Sequence, residues 1–531
     1  MRADGRILEA AVCGLLVLLV ATPQRAAAET WAGANIERTA QVIDTNVTID
    51  LDAAPATTVT LNNCVFRSQL SVIGGSNGSS AIANFTAVET RFQAFSLIIR
   101  PSAASVSLTL VNVSVTSTLV IAGGSPGVVA VLAPSFVTVA SELSLAECDV
   151  RAGAVVVLSG GGIRLGSRVT NVSVNGAGAF VGLRDATAAD GGFTPALVFD
   201  NVNVSGGAAI GAESARFVGT NTRSLVVANA RVYGEGQLRV VDSLCHGQAP
   251  ARGFIGYCVS VVDTQIDSGS VEFLRNDVSL TCDATSYVNA LYFSSVNAQH
   301  ANITVRGNRF QMNGTAKNTV YGVGWASGST LDRCRITIEA NDFKGFRGTA
   351  ASTTNPPRPV YAVGILVPVF RSVLRLNVQT TQAWVAVNYQ TSLNNVIEVG
   401  AGRIPGYGFA GAADYDTSNP TTLRCAPPLC RGCRRRSRLG RWFCLRAPRS
   451  LRARTRSRCT RRNSRTWKCD VPPWWCAVGA AGRCRTSLMW GRRTTDARLE
   501  ACLPKDGSFS RTLWSRHHKT CPRSHSSPQN S

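Results

Sequence analysis

Histidines, charged side chains and long apolar runs are all scarce in this chain. Five of its 531 residues are histidine and 16% are charged, so metal binding and acid–base catalysis have few candidate side chains. After residue 28, no apolar stretch reaches the roughly 20 residues that a membrane-spanning helix needs. The best stretch, residues 360–370, is interrupted by Gly364 and Pro368. We therefore expect no membrane span after the N-terminus, no metal site and no cofactor.

The N-terminus has the three parts of a secretory signal peptide. Arg2 and Arg6 form a basic start, residues 10–21 form a short apolar core, and residues 26–28 supply small side chains for cleavage. We predict a signal peptide over residues 1–28, a mature chain that begins at Glu29, and entry into the secretory pathway. An uncleaved anchor is the alternative, and the short apolar core argues against it.

The formal charge of +23 is unevenly distributed. Residues 425–531 contain 26 Lys and Arg against four Asp and Glu, whereas the first 424 residues contain 29 against 28. The chain therefore divides into a nearly neutral body, residues 29–424, and a basic tail, residues 425–531.

Short runs of alternating apolar and polar residues fill the body, a pattern typical of β-strands. They recur roughly every 24 to 36 residues, and units of this period bury their apolar faces by stacking. We predict an all-β body, a right-handed parallel β-helix of the pectate-lyase type with about 12 to 15 coils. Asn side chains at the bends would form ladders between coils. A set of β-sandwiches is the alternative. Representative runs are Thr58–Leu61, Ser105–Leu110, Arg239–Val241, Asn302–Val305 and Arg335–Ile338.

Eight glycosylation sequons lie in the body and none lies in the tail. We predict glycans on the exposed ones. Asn112, Asn171 and Asn203 lie in strand-like runs, and for them the alternative is that their side chains form a ladder inside the core. The eight candidates are Asn46, Asn77, Asn84, Asn112, Asn171, Asn203, Asn302 and Asn313.

Cys245 and Cys258 are the best candidates for a disulfide among the six cysteines of the mature body. They bracket residues 246–257, which contain Gly and Pro and resemble a loop that leaves the solenoid. Closing so short a loop would stabilise the fold by about 3 kcal/mol. The isolated Cys64 and Cys148 have a simpler interpretation as small buried residues.

The body shows no catalytic motif. Glycoside cleavage needs two carboxyl groups held close together. The candidate pairs, Asp185 with Asp190 and Asp414 with Asp416, lie in Gly- and Ala-rich segments typical of turns. The body has only two histidines, His246 and His300. We expect no enzymatic activity; a carbohydrate-active β-helix enzyme, a lyase or glycosidase, is the alternative function.

Two segments resemble the trypanosome dispersed gene family surface proteins. They are residues 1–33 and residues 61–76, the second of which reads LNNCVFRSQLSVIGGS, and the resemblance extends to about residue 430. It implies a β-helical surface protein, with adhesion to host cell-surface or matrix molecules as its function. Family members are much longer and carry a membrane-spanning C-terminal region. The resemblance therefore implies that this chain is a truncated, pseudogene-like copy.

The tail, residues 425–531, has a different composition from the body. It contains ten of the 17 cysteines and six of the nine tryptophans, together with arginine runs such as Arg434–Arg436. Three interpretations compete: a polyanion-binding tail, a disulfide module, and frame-shifted translation. A signal peptide argues against nucleic acid as a partner. The single CxxC, Cys430 to Cys433, has no second pair at zinc-finger spacing, so we expect no zinc. We favour the frame shift and expect a tail that is largely disordered.

The frame-shift hypothesis predicts a result at the DNA level. Another reading frame beyond codon 424 should continue with cysteine-rich, sequon-bearing sequence, which sequencing the gene and translating all frames would reveal. If no other frame stays open, the basic tail is genuine protein sequence and the hypothesis is wrong.

Overall fold

A computed structural model describes most of the body and short parts of the tail. The described residues are 28–52, 58–74, 82–99, 105–124, 129–188, 194–219, 223–248, 255–282, 287–314, 320–326, 328–344, 360–380, 384–388, 395–399, 407–410, 422–425, 459–463, 466–469, 486–490 and 493–497. They contain strands and connecting turns and no helix. Residues 1–27 of the predicted signal peptide lie outside them, and the first strand begins at Glu29.

The chain divides into two compact units, Met1–Thr455 and Arg456–Ser531. In the first unit, one sheet has 13 described strands. They are Asn35–Thr39, Thr58–Asn62, Ile82–Val88, Ser105–Val111, Val129–Val131, Cys148–Arg151, Ser173–Asn175, Asn203–Ser205, Arg231–Tyr233, Gln265–Asp267, Asn297–Gln299, Thr330–Asp332 and Val369–Phe370.

A second sheet of the same unit has 32 described strands. They are Glu29–Trp31, Val42–Ile43, Val47–Asp50, Val65–Gly74, Arg91–Ile99, Val113–Val115, Thr118–Ala122, Phe136–Val139, Glu142–Ala146, Val155–Ile163, Ser167–Thr170, Phe180–Ala188, Leu197–Asp200, Ala209–Glu213, Arg216–Gly219, Arg223–Ala228, Gln237–Val241, Leu244–Gln248, Ile255–Val262, Ser270–Leu274, Asp277–Cys282, Tyr287–Ser294, Asn302–Arg306, Arg309–Gly314, Val320–Trp325, Arg335–Lys344, Val360–Ile365, Val373–Thr380, Trp384–Asn388, Val396–Val399, Tyr407–Ala410 and Thr422–Cys425.

Every described pairing in these two sheets is parallel and joins a strand to its equivalent in the next coil. Val150 pairs with Val174, and Val174 pairs with Val204. The 13 strands of the first sheet correspond to 13 successive coils, within the predicted 12 to 15. The predicted parallel β-helix is therefore confirmed, and β-sandwiches, which are built from antiparallel strands, are excluded.

Alternation of side chains builds one continuous core inside the coils. In Ser105–Val111 the residues Val106, Leu108 and Leu110 are buried, while the residues between them are half-buried on the outside. Stacked rings such as Phe310 and Phe343, 4.7 Å apart, continue the packing from coil to coil. All five runs that the sequence predicts as strands lie within observed strands.

The coils lengthen through the middle of the body and are short again near its end, where Ser372 and Asn395 of neighbouring coils are 23 residues apart. Leu143 and Ser167, on neighbouring coils, are 24 residues apart, whereas Arg231 and Gln265 are 34 residues apart. The longer coils contain an additional strand, first seen as the separate element Arg216–Gly219. The alternation pattern of the sequence does not indicate this additional strand.

Polar residues in the left-handed region form many bends between strands, as the sequence predicts for Asn and Asp. Asn171, Asn201 and Asn229 have φ values of 54°, 53° and 52°. Their backbone N–H groups continue the parallel pairing, because Asn171 N donates to the carbonyl of Asp200 at 3.0 Å. Asn201 Nδ2 also donates to Asn171 Oδ1 at 2.7 Å, a ladder on the surface.

A second amide ladder is buried. Asn276 Nδ2 donates to Asn308 Oδ1 at 3.0 Å, and Asn308 Nδ2 donates to Asn341 Oδ1 at 2.8 Å. The same oxygens accept the backbone N–H groups of Asn276 and Asn308. Each Nδ2 also reaches back to a carbonyl of the preceding coil, as Asn308 does to Phe273 at 2.8 Å. These amides are therefore satisfied without water, and the ladder connects three coils from within.

The described strands of the first unit end at Cys425, where the composition changes. In the second unit the structure describes two antiparallel hairpins, one formed by Cys459–Asn463 with Thr466–Cys469 and the other by Thr486–Trp490 with Arg493–Ala497. The remainder of the tail lies outside the described residues, so its predicted disorder stays a prediction.

Replacing Asn308 with alanine should destabilise the β-helix by about 2–4 kcal/mol, because it leaves two donors on Asn276 and the carbonyl of Phe273 without their partner. Urea denaturation would measure the change in the free energy of unfolding. Hydrogen exchange would show faster opening of the coils that contain residues 273–341.

Asn297→Ala is the matched control, because Asn297 is exposed and only accepts a surface hydrogen bond from the Thr330 hydroxyl at 3.0 Å. It should cost less than about 0.5 kcal/mol. An equal loss in the free energy of unfolding for the two substitutions would mean that the buried ladder stabilises the fold no more than a surface hydrogen bond does.

Candidate functional site

The strand Ile255–Val262 bends between two residues that both face the core, Cys258 and Val259. Its outward residues, Tyr257 and Ser260, lie on either side of this bend. Parallel pairing repeats both positions in the next three coils. The first position holds Tyr257, Asn289, Tyr321 and Tyr361, and the second holds Ser260, Tyr292, Gly324 and Gly364.

Four of the chain's nine tyrosines therefore lie on one outer face, over four successive coils. We call Tyr257, Tyr292, Tyr321, Tyr361 and Asn289 the tyrosine strip. The rings of Tyr257 and Tyr292 stack with centroids 5.1 Å apart, and those of Tyr321 and Tyr361 stack at 5.2 Å. All four tyrosines are half-buried and lie outside the hydrophobic core.

Glycines make room for the ring of Tyr321. A Cβ added to Gly364, in the next coil, would lie 2.7 Å from Tyr321 Cδ1, and one added to Gly324 would lie 2.7 Å from Tyr321 Cγ. Both distances are too short for real carbon–carbon contacts. Tyr321 therefore lies across the bend, over positions that only glycine can occupy without displacing it.

Asn289 lies between Tyr257 and Tyr321 in the same column of the strip. Its side chain is 3% exposed, and its Oδ1 has no hydrogen-bond partner. A buried acceptor without a donor is costly and rare in folded proteins. The strip therefore contains a buried acceptor for which the described residues supply no donor.

The hydroxyls of Tyr321 and Tyr361 remain protonated over the physiological range. Burial raises the pKa of Tyr321 to about 12, and the nearby Tyr361 and Tyr292 add to the rise. Burial also raises the pKa of Tyr361. These hydroxyls therefore offer hydrogen-bond donors and acceptors and no charge.

Five of the six described sequon asparagines lie on the outside of the coils, whereas Asn46 lies between coils, where its Oδ1 accepts the Gln69 backbone N–H at 3.1 Å. Asn84, Asn112, Asn171 and Asn302 are exposed, and Asn46 and Asn203 are half-buried. The core-ladder alternative for Asn112, Asn171 and Asn203 is therefore wrong, because the two exposed ones occupy or adjoin surface bends and Asn203 faces outward in its strand. Asn77 and the side chain of Asn313 lie outside the described residues.

Cys245 and Cys258 come together, as the sequence suggested, although they are present as free thiols. Both are buried, at 3% and 2% exposure, and the two thiols are hydrogen-bonded. Burial, and then the hydrogen bond to Cys245, raise the pKa of Cys258 well above its ordinary value. The segment between them is shorter than predicted, because strands extend to Gln248 and resume at Ile255; residues 249–254 lie outside the described part. Cys64 and Cys148 are buried single thiols, as expected.

Several carboxylates of the outer faces are paired with arginine. Arg239 lies between two of them, 3.6 Å from Glu213 and 3.2 Å from Glu272. Arg275 binds Asp242 through two hydrogen bonds of 2.6 Å and lowers the pKa of that carboxyl group. Pairing of this kind favours the ionised form, which suits a structural ion pair better than a general acid.

The residues proposed as catalytic alternatives do not form a site in the described structure. Asp185 is an exposed bend residue with φ of 49°, and Asp190, Asp414 and Asp416 lie outside the described residues. Each body histidine faces one carboxylate, His246 at 3.8 Å from Asp277 and His300 at 3.7 Å from Asp267. Within the described residues, no three His, Cys, Asp or Glu side chains come together as metal ligands would.

A shallow depression of about 250 Å³ lies elsewhere, against residues 149–152 and 173–176. Asp149 and Arg151 pair across it at 3.4 Å. None of the buried, unpartnered polar atoms found in the described residues lines it. The tyrosine strip is the stronger candidate because it contains Asn289.

No protein-family model, curated protein or solved structure matches this chain. Among the described residues, no helix has the length and apolar character to cross a bilayer.

We expect Cys245 and Cys258 to form a disulfide once the chain passes through an oxidising compartment, because their thiols are already in contact. Peptide mapping of the secreted protein without reduction should recover a cross-linked peptide pair containing both residues. Cys148→Ala is a matched control that removes a buried cysteine and should leave the cross-link intact. Recovery of both residues as free thiols would contradict the prediction.

Proposed function

We propose that this chain is a secreted or surface-displayed, glycosylated and non-catalytic β-helix scaffold that adheres to host cell-surface or matrix molecules. The observation that carries the proposal is the outward position of five of the six sequon asparagines whose side chains are described, Asn84, Asn112, Asn171, Asn203 and Asn302. Glycans at such positions are compatible with the stacked core, and a glycosylated chain belongs in the secretory pathway.

The architecture supports a binding role. Stacked coils form long surfaces that other solenoid proteins use for binding. Here the carboxylates of the outer faces that pair with arginine, such as Glu213 and Glu272 with Arg239, are compatible with a scaffold. The resemblance to the trypanosome dispersed gene family supports adhesion as the purpose of these surfaces.

The proposal predicts glycans at Asn84 and Asn302, which are exposed on strands. The full chain, expressed in a eukaryotic secretory host, should appear in the medium. Enzymatic deglycosylation in isotope-labelled water, followed by mass spectrometry, should mark both residues. Asn297 is a matched control because it is exposed on a strand and has no sequon.

The adhesive role is tested with the same purified protein. We expect saturable attachment to cultured host cells or to extracellular matrix, compared with a secreted protein of similar size and charge. A chain that is retained in the cell without glycans, or that is secreted and attaches to neither surface, would contradict the proposed function.

A further inference from the structure

The tyrosine strip is an unusual surface on this protein. At the equivalent positions of the coil before it lie Arg223 and Val226, and other outer faces carry threonine, serine or arginine–carboxylate pairs. The strip combines four tyrosines on one face, two buried glycines beneath a ring and one unpartnered amide oxygen. None of these residues belongs to the hydrophobic core.

We infer that the tyrosine strip is a binding site for an uncharged carbohydrate chain that lies across the coils, with Asn289 accepting a hydrogen bond from a sugar hydroxyl. This inference rests on the proposed function, because it names a class of partner for the scaffold.

The dimensions of the strip fit an extended saccharide. Neighbouring coils are about 4.8 Å apart, which is close to the length of one hexopyranose unit. Four coils therefore accommodate a short run of sugar units. The strip is only two residue positions wide, whereas a stable protein interface needs roughly 800 Å² from each partner.

The chemistry of the strip also fits a sugar. No charged side chain occupies its two columns between Tyr257 and Gly364 in the described structure. The nearest cationic residue in the same column is Arg223, one coil before Tyr257, so a sulfated or phosphorylated ligand would meet a counter-ion only at that end of the strip. Tyrosine combines an apolar ring with a polar tip, and carbohydrates combine apolar ring faces with hydroxyl groups. The buried Oδ1 of Asn289 needs a donor, which a sugar hydroxyl supplies.

Calorimetric titration of the full secreted chain with neutral hexasaccharides tests the inference. The probes are β-1,4-linked glucose, mannose and N-acetylglucosamine hexamers, with a heparin hexasaccharide and an extended neutral peptide for comparison. We expect saturable binding of at least one neutral hexamer.

Two variants weaken the site without removing its rings. Tyr321→Phe removes one hydroxyl, and Gly364→Ala displaces the Tyr321 ring, because the new Cβ would lie 2.7 Å from Tyr321 Cδ1. Each should weaken binding about tenfold, equivalent to about 1.4 kcal/mol. Tyr233→Phe is the matched control, since Tyr233 is 45% exposed on the 13-stranded sheet, and it should bind like the wild type. Circular dichroism and thermal unfolding verify that each variant folds.

Absence of binding to every neutral hexamer would overturn the inference, as would unchanged binding by both strip variants. Binding only to heparin or only to the peptide would also overturn it. If the wild type binds no neutral hexamer but still adheres to cells or matrix, the inference fails and the proposed function stands. If the wild type binds a hexamer but does not adhere to cells or matrix, the proposed function fails instead.

Discussion

The whole body depends on parallel pairing between each coil and the next. A single coil exposes the apolar side of every strand, and only a neighbour placed in register covers it. Val150, for example, has its partner Val174 in the next coil, and Val174 is followed by Val204. Left-handed bends preserve this register at the corners, because their N–H groups also donate to the neighbouring coil. The same parallel pairing, repeated from coil to coil, therefore holds the bends and the strands together and covers the core.

Much of this arrangement could be predicted from alternation alone. Runs such as Ser105–Leu110 indicate strands because every second residue is apolar, and their recurrence indicates stacking. The amide ladder was expected as a type of interaction, although Asn276, Asn308 and Asn341 were not singled out. Their signal was present, since they are 32 and 33 residues apart and each lies between two strand-like runs. It was hidden by the many other asparagines of the body.

The tyrosine strip could not be predicted from the sequence. Its tyrosines are separated by 35, 29 and 40 residues, because the segments between strands differ in length and because Tyr292 occupies the second column while Asn289 occupies the first. Only the pairing register brings them to one face.

The core-ladder alternative for Asn112 and Asn171 failed for a related reason. The sequence shows that an asparagine adjoins a strand, whereas the backbone conformation at the bend decides that its side chain faces solvent.

The buried column Ser243, Asn276, Asn308 and Asn341 occupies the same four coils as Tyr257, Tyr292, Tyr321 and Tyr361. The inner hydrogen bonds hold these coils in register, and the outer rings require that register in order to align. The buried ladder therefore fixes the spacing at which side chains on the outer face repeat. Substitutions confined to the outward positions can alter what this face recognises, while the buried ladder and the coil spacing that it sets stay the same.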